Sequence, residues 1–327
     1  MYRLSKIRTT EESGMGMVEQ EGGGDSAPGA EAPWRWGEDR WRALAAQVGA
    51  GRGLPLRTWP DGASVAVAIS FDVDDETAAF CQNVTSPGYI TQGHYGARVG
   101  IPRILDLLAV FGVRATFFVP VVSALLHERG IGRIQSAGHE LGLHGWIHER
   151  CGDLNQGEEY ELAESSLHAL RRITGSTPTG MRTPWWDYTE HTLPIARGLG
   201  LSYDSSLMAD DEPYELLHQH EPTGLVEIPV SWIRDDAPYF PDDPAARQAM
   251  APRQVLQIWK DEFDGARDVG GLFQLTLHPH VIGHRSRLLV LRELLVHITA
   301  RAGVWFATHE EIARHTHHTL VQQRGAP

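Results

Sequence analysis

The run Ser64–Asp72 (SVAVAISFD) constrains this chain most. Its β-branched and apolar residues do not alternate with polar ones, so the strand they form must be covered on both faces, as in a parallel sheet flanked by helices. The pattern then repeats. Ile101–Phe111 reads as a helix with Ile101, Ile104, Leu105 and Leu108 on one face, Pro102 being tolerated in its first turn. Arg114–Pro120 reads as a strand, Val121–Arg129 as a helix and Glu140–His144 as a strand. A long helix follows, capped by Asn155 with Glu158 three residues on, and Leu167, Leu170 and Ile173 mark its buried stripe. Further strands are expected at Gly180–Thr183, Leu201–Asp204, Val226–Val230, Leu272–Leu277 and Val304–Ala307, with helices near Thr189–Leu199, Pro252–Arg267 and Ser286–Ala300. Seven or eight strands joined by helices fit a closed or nearly closed parallel barrel, or a doubly wound open sheet. Both architectures place their sites at the C-terminal ends of strands, which selects the polar residues that directly follow apolar runs.

Residues 1–33 are rich in Gly, Glu, Ser and Ala with almost no branched or aromatic side chains, too few to offset chain ordering, so a flexible leader is expected there. Ordered structure, in one domain over residues 34–327, should begin where Trp34, Trp36 and Trp41 cluster. With 29 Lys and Arg against 42 Asp and Glu the net charge is −13, a field that repels phosphate backbones and anionic lipid, so neither nucleic acid nor membrane is an expected partner. Two cysteines, Cys81 and Cys151, make no disulfide framework, and no run of some 18 apolar residues offers a signal or a membrane span. The expected location is the cytoplasm.

Chemistry-bearing residues collect at the strand ends. Ser70-Phe71-Asp72-Val73-Asp74-Asp75-Glu76 crowds four acids into five positions, an arrangement that like-charge repulsion opposes and a divalent cation favours. The plain alternative is an acidic loop capping the next helix. His144 and His148 stand four apart, a spacing that one helical turn converts into two adjacent imidazoles for a cation such as Zn²⁺. A helical metalloprotease motif would need Glu directly after the first His, and Gly145 stands there. Arg182 follows a short strand and suits a role of orienting one of the first-strand acids, while the adjacent Trp185 and Trp186 read as a pocket wall or as ordinary core. His278 and His280 end the penultimate apolar strand, where a proton donor to a leaving amine would stand. The segment Asp210–Tyr239, with Tyr214, Trp232 and Tyr239, reads as a lid or a subunit contact.

Taken in order, these motifs resemble the NodB-homology polysaccharide deacetylases, carbohydrate esterase family 4, over about Asp61 to Thr308. The F-D-V-D opening, the G-H-E-x-G-x-H-G-x-x-H-E stretch and the L-H-P-H ending most resemble a cytoplasmic branch with peptidoglycan-deacetylase-like proteins and cyclic imide hydrolases. The resemblance implies a distorted (β/α)₇ barrel and a metal-dependent hydrolase of non-peptide C–N bonds. It implies Asp72 as general base, Asp74, His144 and His148 as the metal ligands, His278 as catalytic acid and Arg182 as the residue tethering the base. The metal would be Zn²⁺, with Co²⁺, Ni²⁺, Fe²⁺ or Mn²⁺ also suited to one carboxylate and two imidazoles. Either Asp204 or Asp235 would support His278, and the backbone around Trp185 would be the place for an oxyanion donor. Asp75, Trp185, Trp186, His280 and Tyr239 are the candidate substrate-binding residues. A small amide or cyclic imide is expected as substrate, an N-acetylated sugar or peptidoglycan is the alternative, and a non-catalytic carbohydrate- or metal-binding barrel is the rival of another class. A homo-oligomer is expected.

Overall fold

The structure is a computed structural model that describes residues 31–241 and 249–324. The expected leader lies outside the described residues except for its last three. Residues 31–44 form a small unit of their own: a 3₁₀ turn at Pro33–Arg35 and the start of a helix, Glu38–Ala46, with the Arg40 guanidinium over the Trp36 ring at 4.0 Å.

The second unit, from Ala45 on, contains the strands β1 (Val48–Gly53), β2 (Val65–Asp72), β3 (Thr116–Val119), β4 (Glu140–Leu143), β5 (Gly180–Met181), β6 (Tyr203–Asp204), β7 (Tyr214–His218), β8 (Glu221–Glu227), β9 (Leu272–Leu277) and β10 (Val304–Phe306). Seven of them run parallel in the order β9-β2-β3-β4-β5-β6-β8. The ends of this row meet again after β8, where Asp235 makes a parallel bridge to Thr276 of β9. The result is the distorted (β/α)₇ barrel, held closed at one seam by a single residue pair. β10 pairs with Val65–Val67 on the edge of β2 that β3 uses further along, since Val67 faces Phe306 on one side and Phe273 on the other. β1 and β7 extend the sheet antiparallel beyond β8.

All eight residues of β2 are buried, as a strand covered on both faces requires. Phe71 stacks on Phe117 of β3 at 4.8 Å, and the helix Ile101–Phe111 buries Ile101, Ile104, Leu105 and Leu108 before Gly112 ends it at φ 64°. The long helix spans Gln156–Thr174, and Asn155 caps it by accepting from the Gly157 and Glu158 amides while Glu158 returns a bond to the Asn155 amide. The single helix expected from Val121 is two, Val121–Leu126 and Glu128–Ser136, because the backbone breaks at His127. The stretch read as a lid or subunit contact contains the β7–β8 hairpin, with Tyr214 buried in β7. No helix among the described residues is long and apolar enough to cross a membrane.

Candidate metal and catalytic centre

The barrel brings the ends of β2, β4, β5 and β9 to one place. Arg182, just past β5, is fully buried. Burying a guanidinium unpaired would cost several kcal/mol, and its surroundings satisfy it. Nη1 donates to Asp72 Oδ1 at 2.7 Å and to Ser70 Oγ at 2.9 Å, Nε donates to the Ser205 carbonyl at 2.8 Å, and Nη2 donates to Ser205 Oγ at 2.8 Å. The guanidinium plane lies over the Phe118 ring at 4.2 Å. One carboxylate oxygen of Asp72 is thereby pinned, and Oδ2 remains 3.9 Å from His144 Nε2.

Two residues on, Asp74 Oδ1 lies 3.4 Å from His144 Nε2 and 3.6 Å from His148 Nε2, and it has no hydrogen-bond partner. Atoms that share one cation at about 2.0–2.2 Å in tetrahedral array stand about 3.4 Å apart, so these separations fit a common metal better than a hydrogen bond. His144 Nδ1 donates to the Arg182 carbonyl at 2.8 Å, which orients the ring and turns Nε2 toward Asp74. Burial pushes the His148 imidazole down to about 4 despite the Asp74 charge, leaving it neutral, the form that ligates. Burial works against the Asp74 carboxylate, but the His148, His144 and His278 imidazoles outweigh it and hold the group well below the usual carboxylate range. The donor set of one carboxylate and two imidazoles therefore fits a divalent metal. It is not helical: His144 follows β4 directly, and the turn Gly145–His148 passes through positive φ at both ends, 73° and 65°. The four-residue spacing brings the rings together through a loop, not through a helical turn.

On the opposite strand end, His278 Nε2 stands 3.7 Å from Asp74 Oδ2. Its Nδ1 bonds Asp236 Oδ1 at 2.7 Å, and Asp236 also accepts from the His278 amide. Burial disfavours the imidazolium, yet Asp236, Asp235 and Asp74 together hold it well above the usual histidine range. The partner of His278 is thus Asp236, where Asp204 or Asp235 was expected. Asp235 Oδ1 is 3.6 Å away and accepts from the Ala237 amide, and Asp204 bonds Ser206 between β6 and β8. The tandem Asp235-Asp236 is the sequence signal, and the backbone turns its second member toward His278. Ser70, Ser205 and His309, whose ring lies 3.5 Å from Arg182 Nη2, complete the support of the guanidinium and carried no signal of their own.

The candidate substrate-binding residues divide. Trp185, at φ 61°, donates from its ring nitrogen to the His148 carbonyl at 3.2 Å and packs its ring 5.2 Å from that of His148. Trp186 is buried against Trp232 at 4.0 Å, and His280 lies 5.8 Å from the His278 ring. Asp75 is buried beside Gly96, where an added Cβ would meet its Oδ1 at 2.4 Å. Burial, with Glu76 and Asp74 nearby, holds its carboxyl well above the usual range. Tyr239 donates to the Ile233 carbonyl and packs on Trp259, contacts that tie it to the strand-end loop.

Residues 92–203 match the polysaccharide deacetylase family pattern. A peptidoglycan deacetylase of Helicobacter pylori is 31% identical over 255 residues, 70% of this chain and 87% of that protein. A Mycobacterium smegmatis crystal structure classed with the polysaccharide deacetylases shares 35% identity and superposes with a TM-score of 0.75 over 84% of this chain and 96% of that one. The allantoinase PuuE, at 24% identity and a TM-score of 0.71 over 82% and 95%, shares the fold. An Asp-His-His group in a seven-stranded barrel, together with these likenesses, places the chain in the polysaccharide deacetylase family, whose members are metal-dependent hydrolases of C–N bonds other than peptide bonds.

Proposed function

We propose that this chain opens a small amide or cyclic imide by hydrolysis, with Asp72 as base and His278 as acid. One observation carries the reading: a carboxylate oxygen without a hydrogen-bond partner, Asp74 Oδ1, stands between two imidazole nitrogens, and an Arg-tethered Asp and an Asp-backed His both face it. Asp74, His144 and His148 would hold the metal, Zn²⁺ in our reading. Such a cation, when bound, lowers the pKa of a coordinated water and polarises a carbonyl. Asp72 Oδ2, held by the Arg182 grip on its other oxygen, takes the proton of the attacking water. His278, kept charged by Asp236, gives its Nε2 proton to the nitrogen as the C–N bond breaks. Trp185 packs against the His148 side of the centre.

The burial of the centre favours a compact substrate. The side chains of Asp72, Asp74, His144 and His148 are 1–7% exposed and that of His278 is 12%, so a bulky polymer meets little of the machinery directly. The unpaired Cys81 and Cys151 suit a reducing compartment, consistent with a cytoplasmic enzyme. N-deacetylation of sugars is the second reading, and the 31%-identical peptidoglycan deacetylase supports it. The deciding experiment reloads the purified protein with Zn²⁺ and offers succinimide and hydantoin alongside N-acetylglucosamine and chitooligosaccharides. Ring opening without acetate supports the first reading, acetate release alone supports the second, and turnover of neither class by the loaded protein overturns both.

A further inference from the structure

The acidic run at the end of β2 has four members, and the centre described above uses two of them, Asp72 and Asp74. Asp75 and Glu76 turn to other partners. Asp75 adopts φ 46°, is 1% exposed, and neither of its carboxylate oxygens has a hydrogen-bond partner. The helix Pro87–Tyr95 and the π turn after it close over Asp75 because Gly93 and Gly96 leave room: a Cβ at Gly93 would fall 2.2 Å from the Asp75 backbone carbonyl, and one at Gly96 2.4 Å from its Oδ1. Glu76 extends to His127, whose Nε2 lies 2.8 Å from Oε2 and 3.0 Å from Oε1. One oxygen of Asp75, one of Glu76 and a ring nitrogen of His127 lie within 4.8 Å of one another. The His94 ring stacks on that of His127 at 6.0 Å, and both line a cleft of about 400 Å³ that reaches the surface.

A buried carboxylate with two empty acceptors beside a second carboxylate is a poor arrangement for protein atoms alone and a good one around a cation. We propose that Asp75, Glu76 and His127 form a second divalent-cation site, separate from Asp74, His144 and His148. Two carboxylates and one imidazole suit Zn²⁺ or Mn²⁺. Ca²⁺ asks for six or more oxygens, and Mg²⁺ seldom takes a ring nitrogen. Closing donors that lie within 4.8 Å of one another to the spacing of about 3.4 Å around one ion requires side-chain shifts of up to about an ångström, displaces the proton that His127 shares with Glu76, and uses the cleft as an entry path. The ion would pin the turn after β2 to the start of the helix Glu128–Ser136, and through residue 75 would fix the backbone that carries Asp74.

The test uses the full chain, stripped by chelator and titrated with Zn²⁺ alone, with bound metal measured by elemental analysis and calorimetry. Wild type should take two ions and His144→Ala one. The double variant His144→Ala/His127→Gln should lose that remaining ion, its affinity falling more than about 100-fold. Glu76→Gln, combined with His144→Ala, provides the same loss by a second route should the His127 variant misfold. The proposal is overturned if His144→Ala binds no Zn²⁺, or if folded double variants keep what His144→Ala bound. Should His144→Ala bind as many ions as wild type, the first centre fails while the second is still judged by its dependence on His127.

Discussion

Asp72 and Asp74 are two residues apart, yet their partners differ in kind. Arg182 donates to Asp72, whereas two imidazole nitrogens converge on Asp74. Asp72→Asn keeps the shape and the metal donors, so it should retain stoichiometric metal and lose kcat by about 10²–10⁴-fold. Full activity in that variant, measured with the metal content, would remove Asp72 from the mechanism. The backing of His278 allows a sharper contrast. Asp236→Asn, which weakens a 2.7 Å bond, should cost more in kcat than Asp235→Asn, whose carboxylate is 3.6 Å away, and equal losses would show that neither carboxylate singly positions the imidazole. Residues with chemistry of their own were legible because each follows an apolar run. The supports Ser70, Ser205 and His309 were not, since a hydroxyl or imidazole beside a guanidinium leaves no periodic mark in a sequence. Asp236 escaped because two adjacent carboxylates differ only in which one the backbone turns toward His278.

Elements were legible where a local signal fixes them. The Asn155–Glu158 pair is such a signal: the structure shows both reciprocal bonds and a left-handed Gly175 at the far end of the helix. Asn155→Ala leaves two amides without an acceptor and should destabilise the protein by about 1 kcal/mol, a fall in Tm of about 2–4 °C for a unit of this size. An unchanged Tm would mean that this end of the helix is held by packing alone. Where long-range contacts decide, the local pattern misleads. β8 begins at Glu221, in a polar stretch, because β7 supplies a hairpin partner. The His144–His148 spacing has the helical period, but left-handed backbone at Gly145 and His148 makes a loop of it. Local periodicity also runs through His127, where the backbone leaves the helical region at φ −129°, ψ 41°.

At the scale of the whole molecule, the strand–helix count alone admitted a closed barrel or an open sheet, and the family resemblance pointed to the barrel. The difference is one bridge, Asp235 to Thr276, which no pattern announces. Near that seam β6 and β8 bring Asp204 directly opposite Glu227. Burial raises both carboxyls: Asp204 is pushed up to about 6, and Glu227 stands well above its ordinary range through burial and the Asp204 charge. Below about pH 3 both groups are protonated in folded and unfolded chains, and the pair carries no penalty. As pH rises toward 6 and beyond, the unfolded chain releases protons that the folded chain retains, so this pair makes stability fall with rising pH. Glu227→Gln keeps an oxygen for the Ser206 and Leu207 amides and removes one charge. Its stability relative to wild type should therefore improve steadily as the pH is raised from 4 to 7. Other buried acids, Glu212 and Asp235 among them, slope the same way in both proteins and cancel in the difference. Urea unfolding at a series of pH values reads that difference directly. Parallel curves for the two proteins would mean that the strands relax enough to hydrate the pair, and the barrel would then be looser at its seam than the packing of β6 against β8 implies.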